Sequence, residues 1–170
     1  GLHPHQAFEI MSYALEGEIG HYDTLGNRSR VQVGGAQVMQ AGSGISHEEE
    51  TVGDFNDFFQ IWFDPDVQKA LHNKPTYKEY KHEDFLIEKQ DGAIIKTILG
   101  EKSPISIQSE ASMKDISIED EHKFQYPLYS GKTLALVVIS GKGILFDLQT
   151  GTKHYLNKKD FALVHAKHHG

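Results

Sequence analysis

Cysteine is absent from the 170 residues, which excludes disulfide bridges and thiolate metal sites and leaves histidine and carboxylate as the donors of any metal centre. No apolar run approaches the roughly 18 residues of a membrane span, and no basic, apolar, small-residue leader opens the chain. A cytoplasmic protein that makes no membrane contact is expected. Positive charge is scarce: 17 Lys and Arg stand against 24 Asp and Glu, a formal net charge of −7, and the longest basic block is the pair Lys158–Lys159. Nucleic-acid binding needs a basic stripe, so direct contact with DNA or RNA is not expected.

What the chain does have is short apolar runs broken by glycine. "FEIMSYALEGEIGHYD" carries β-branched and aromatic residues at alternating positions and ends in "TLGN", a turn sequence; "RSRVQVGGAQVMQAGSGISHEEE" and "DFFQIWFDP" continue in the same manner. Strands this short with glycine turns this frequent predict a barrel or sandwich. Residues 67-90 turn polar and rich in Lys and Glu, which reads as a linker with one helical turn. Strand patterns return from "AIIKTILG" onward. The expected division is therefore 1-66, 67-90 and 91-170.

The two strand-rich parts resemble each other. Each has a strand, a glycine-centred turn (Gly17, Gly141), a strand ending at an aspartate (Asp23, Asp147), a turn, and a strand running to an alanine (Ala41, Ala166). An internal repeat of this kind favours a duplicated barrel.

Two histidine pairs carry the candidate chemistry. On a strand, residues i and i+2 share a face, so His3 and His5 look to one point, as do His47 and Glu49. Were the two strands neighbours in a barrel, three imidazoles and a carboxylate would converge, a donor set suited to a divalent transition ion. Glu9 shares the parity of His3 and His5 but lies too far along the strand to join them, and is expected to be a supporting carboxylate. His21, His72, His82, His122 and His154 have no partner at ligand spacing. His165, His168 and His169 form a terminal tract expected to face solvent.

The stretches "HPHQAFEIMSYALEGEIGHYDTLGN", "VMQAGSGISHEEE", "FQIWFDP" and "KPTYKE" resemble the pirin family of the cupin superfamily, including its bacterial flavonol-cleaving members. The resemblance implies an all-β bicupin fold of two antiparallel β-barrels, the N-terminal barrel binding one metal and the C-terminal barrel none. It places the metal ligands at His3, His5, His47 and Glu49. Counting by the repeat, Pro127 and Tyr129 stand where His3 and His5 would, which agrees with a metal-free second barrel.

The implied cofactor is one divalent transition metal, iron(II) first, with manganese, nickel, copper, cobalt and zinc accommodated by the same donors. The implied activity is a quercetin 2,3-dioxygenase reaction on a flavonol-like small molecule, with Glu49 also acting as the catalytic base. The alternative is a non-enzymatic, metal-dependent module that binds a protein partner, as a transcriptional cofactor does. The sequence departs from the family pattern in three ways. Gln6-Ala7 replaces the usual Arg-Gly pair, the first strands expected ahead of His3 are missing, and the second barrel stops short at Gly170. An incomplete chain with a frayed edge at its first strand is expected.

Overall fold

A computed structural model of the chain describes residues 1–167, and the chain packs as two units, Gly1–Phe124 and Gln125–Gly170. The first unit holds β1 (His3–His5), β2 (Glu9–Asp23), β3 (Arg28–Val31), β4 (Ala36–Gln40), β5 (Ile45–Phe63), α1 (Val67–Ala70), β6 (Thr76–Tyr80), a 3-10 turn at His82–Asp84, β7 (Ile87–Gln90), β8 (Ala93–Leu99) and β9 (Met113–Ile118). The second holds β10 (Thr133–Val137), β11 (Lys142–Phe146), β12 (Lys153–Asn157) and β13 (Phe161–His165). Every strand pair among the described residues is antiparallel. The architecture is the expected all-β one of curled antiparallel sheets.

The largest sheet runs β1-β5-β2-β4-β6, with β3 also on β2. Its two long strands pair along most of their length, in two registers: Glu9–Ala14 against Phe63–Phe58, and Glu18–Asp23 against Val52–His47. Register shifts at Ala14/Glu16 and Glu16/Glu18 separate them. A bulge of this kind bends a strand and increases its twist, so a single pair of strands can curl around an interior. Gly17 sits at the bend with φ +75°, and a methyl there would collide with Asn56 Oδ1 and lie 2.5 Å from the Phe55 carbonyl oxygen.

The first half of β2 is buried on both faces. Met11 and Tyr13 pack with Ala36, Val38, Phe85, Ile98, Leu99 and Ile105, which joins the large sheet to the β7-β8-β9 sheet. On the opposite face, Ile10 packs with Met39, Ala41 and Ile45, and Ala14 with Ile19 and Val31. The same face carries Ser12, whose hydroxyl donates to Glu49, so this interior contains the polar groups.

The stretch 67-90, read from sequence as a linker, contains two strands, β6 and β7. β6 pairs with β4 from Ala36↔Tyr80 to Gln40↔Thr76 and closes the sheet on that side. Its exposed Lys78 and Glu79 are what a sheet edge needs to resist pairing with another chain, and they mask the strand in the sequence.

The second unit repeats the path of the first. β10 pairs with β13 as Glu9–Tyr13 of β2 pairs with β4, and β11 pairs with β12 as the end of β2 pairs with β3. The turn chemistry repeats as well. Asp23 Oδ1 accepts from the Leu25 and Asn27 amides, and Asp147 Oδ1 accepts from those of Gln149 and Thr150. His168 and His169 lie outside the described residues.

Candidate metal centre

β1 lies antiparallel to β5 with His3 opposite His47 and His5 opposite Ile45. Because β1 reaches the sheet as its edge strand, its i,i+2 histidines face the start of β5 as the spacing requires. The three rings meet: centroids are 4.8 Å apart for His3–His5, 4.6 Å for His3–His47 and 4.8 Å for His5–His47. The strand expected to fray is paired. Exposure falls from His3, which is open, through His5, half-buried, to His47, only 2% exposed.

His47 Nδ1 and His5 Nε2 are buried without a hydrogen-bond partner among the described residues. Burial is the main cause that lowers the His47 pKa to about 4, and the neighbouring His5, His3 and His21 rings add to it. Burial, and then His3, push His5 down as well. Both rings are therefore neutral at pH 7, the form in which imidazole ligates. Buried, neutral, unpartnered nitrogens fit a divalent ion, because leaving them unsatisfied costs on the order of 1–3 kcal/mol each.

Glu49 is near His47 and also near His21. Among the described residues, metal-capable donors fall in two groups, each with its ligand atoms within 4.8 Å of one another: His3, His5 and His47 form one, and His21, His47 and Glu49 the other. His47 is common to both. The Glu49 carboxylate is held by donors on three strands. Ser12 Oγ (3.3 Å) and Gln37 Nε2 donate to Oε1, and Gln60 Nε2 to Oε2. On the outer side, the exposed Trp62 ring lies 4.9 Å from His5 and 5.5 Å from Phe8, and its Nε1 donates to Gln60 Oε1 at 2.9 Å.

His21 is the residue that spacing overlooked. It pairs across the sheet with Glu49, while Asp23 pairs with His47, so the parity that unites His47 and Glu49 also unites His21 and Asp23. The signal was present as His-x-Asp, another i,i+2 pair. His21 Nε2 and Asp23 Oδ2 are 2.8 Å apart, both side chains fully buried. The ring stacks on Tyr77 at 3.9 Å and 10°. Burial pushes the Asp23 carboxyl up, but hydrogen bonds from His21, Asn27 and Leu25 outweigh it and hold the pKa below the ordinary value.

Glu9 supports the fold, as expected. It is 1% exposed and accepts from Gln40 Nε2, from the Gln108 and Ser109 amides and from Ser109 Oγ. It ties the 105–109 segment to β2 and takes no part in the histidine cluster.

The family model described as Pirin matches residues 1–63. Over that stretch the chain is similar to the pirin family. Pirin-like protein 2 of Arabidopsis thaliana is 30% identical over 146 residues, 83% of this chain and 45% of that protein. The chain spans about half the length of the curated pirin relatives it matches. Among solved structures, quercetin 2,3-dioxygenase from Acinetobacter baumannii matches with TM-score 0.76 at 21% identity, covering 98% of this chain and 58% of that one. The bacterial pirin YhhW of Escherichia coli, solved in complex with nickel(II), matches with TM-score 0.60 at 22% identity, covering 96% and 66%. At these identities the likeness is one of fold. Among the described residues no helix is long and apolar enough to cross a membrane.

Proposed function

We propose that this chain is part of a pirin, holds one divalent transition metal through His3, His5, His47 and Glu49, and oxygenates a flavonol-like substrate in the quercetin 2,3-dioxygenase reaction. The observation that carries the reading is the convergence of three imidazoles within 4.6 to 4.8 Å around the buried, unpartnered His47. Iron(II) is the ion we assign first, with manganese, nickel, copper, cobalt and zinc within reach of the same donors.

A bound ion supplies Lewis acidity, making the 3-hydroxyl of a chelating flavonol easier to deprotonate. The chain supplies the rest. Glu49 accepts that proton on a carboxylate oxygen, and Ser12, Gln37 and Gln60 fix the carboxylate so that it does not reorient during the transfer. Trp62 and Phe8 offer an exposed aromatic surface beside His5, suited to stacking on a planar aromatic ligand.

The test measures metal content and oxygen uptake with a flavonol, for the wild type and Glu49→Gln, after loading with iron(II), manganese(II), nickel(II) or copper(II). The substitution keeps volume and an oxygen donor but removes the base. Metal should be partly retained and turnover should fall on the order of 10²–10⁴-fold. Undiminished turnover in Glu49→Gln would remove the proposed role. Metal binding with no wild-type turnover under any ion would instead favour the metal-dependent protein-binding module.

A further inference from the structure

We propose that His21, His47 and Glu49 form a second, inner metal position, with Asp23 orienting His21, and that a divalent ion occupies it in alternation with the outer three-histidine position. For His47 and Glu49 this rests on the function proposed above; His21 and Asp23 are new to it.

Asp23 sets the geometry. Its side chain is fully buried and its oxygens are occupied: Oδ1 by the Leu25 amide (2.9 Å), the Asn27 amide (3.1 Å) and Asn27 Nδ2 (3.1 Å), and Oδ2 by Asn27 Nδ2 (2.9 Å) and His21 Nε2 (2.8 Å). A carboxylate so fixed accepts a proton-bearing nitrogen from His21, which assigns the hydrogen to Nε2. In the neutral ring Nδ1 then carries the lone pair. Stacking on Tyr77 removes the remaining freedom of the ring.

That lone pair meets no partner among the described residues. His21 is 4% exposed, and its Nδ1 is buried with no partner, as is Nδ1 of His47. The two rings are 5.6 Å apart, and donor atoms of His21, His47 and Glu49 lie within 4.8 Å of one another. Buried polar atoms are partnered in the great majority of cases. Two imidazoles and one carboxylate form a set that suits divalent iron and its neighbours. A carboxylate holding the far nitrogen of a histidine is also the usual way a metal-binding imidazole is oriented. A neutral His47 offers a single lone pair, so one ion at a time is shared by the two positions.

The experiment titrates cobalt(II) under anaerobic conditions, following its visible absorption bands and the ion retained after dialysis, with circular dichroism to confirm folding. His3→Ala with His5→Ala removes the outer donors; both lie on the three-residue edge strand, so the interior should stay intact. The double variant should bind one cobalt(II) per chain more weakly than wild type, with an altered spectrum. Adding His21→Asn, which keeps a donor for Asp23, should abolish saturable binding. Asp23→Asn in the double variant should weaken it by about 10–100-fold.

A double variant that binds no cobalt(II), while wild type binds one, would overturn the inner position and leave the outer one standing; a water between the unpartnered nitrogens would give this result. Binding in the double variant that survives His21→Asn would overturn the role of His21. A wild type that binds none would overturn both positions.

Discussion

At the scale of single residues, Ala7 shows what one departure from a family pattern costs. Where the resembled family carries glycine, this chain has an alanine with φ +68°, buried at 8% exposure. The left-handed region costs an L-residue roughly 1–2 kcal/mol, partly offset by the smaller unfolded-state entropy of alanine. Ala7→Gly should therefore raise stability by several tenths to about 1 kcal/mol, measured by urea denaturation. Tyr13 gives a prediction in pH. Burial first, and then the hydrogen bond and charge of Asp115, push its phenol well above the ordinary 10.0. The other charged group facing it is Lys96, whose ammonium lies 5.3 Å from the Tyr13 ring. A pKa raised in the folded state contributes stability that is fully present below about 10 and is lost above it, because only the unfolded chain then releases the proton. Wild type should lose up to ~1.4 kcal/mol per pH unit above pH 10 through this group. In Tyr13→Phe that part of the slope should vanish, as denaturation curves at pH 9 and pH 11 would record.

At the scale of elements, the bend in the β2–β5 pair depends on Gly17. Its φ of +75° and the closeness of Asn56 Oδ1 and the Phe55 carbonyl leave no room for a side chain. Gly17→Ala should destabilise by about 2 kcal/mol or more through backbone strain and displacement of Asn56, visible as a lowered Tm. The repeat partner Gly141, φ +74°, has open space within 4 Å of where a methyl would stand, so Gly141→Ala should cost only the backbone part. The elements also show where sequence reading works. The meeting of the His3, His5 and His47 rings was legible because i,i+2 spacing on a strand has one geometric meaning. His21 was not, since its partner at i+2 is an aspartate that also caps a turn, and the turn role is the one the local sequence announces. β6 was hidden for the opposite reason: edge strands carry charge. The alternation read in the β2 sequence is interrupted, because both of its faces are buried in its first half. Which histidine group Glu49 joins depends on Ser12, Gln37 and Gln60, contacts between segments that no local pattern encodes.

At the scale of the whole molecule, the two units differ in how they are held. The first surrounds its interior with a six-stranded sheet and a three-stranded one. The second has two separate two-stranded sheets, with Ile144, Leu148, Tyr155, Phe161 and Leu163 each more than half exposed. A lone strand pair is marginal in water, so amide hydrogen exchange of β10 to β13 should be faster than that of β2, β4 and β5 by orders of magnitude. Exchange read by mass spectrometry on proteolytic fragments would check this, and equal protection in both units would contradict it.

The pairing of β1 with β5 reaches beyond ligand geometry. Three residues cannot hold a strand in place by backbone hydrogen bonds alone, and whatever clasps the His3 and His5 rings to His47 also keeps β1 seated. With β1 detached, residues 45–47 of β5 become an open template for strand addition by a second chain. An ion held at the proposed centre would then be a form of self-protection: chelator added to metal-loaded protein should increase its self-association, read by light scattering, starting from the same edge where the ion would sit.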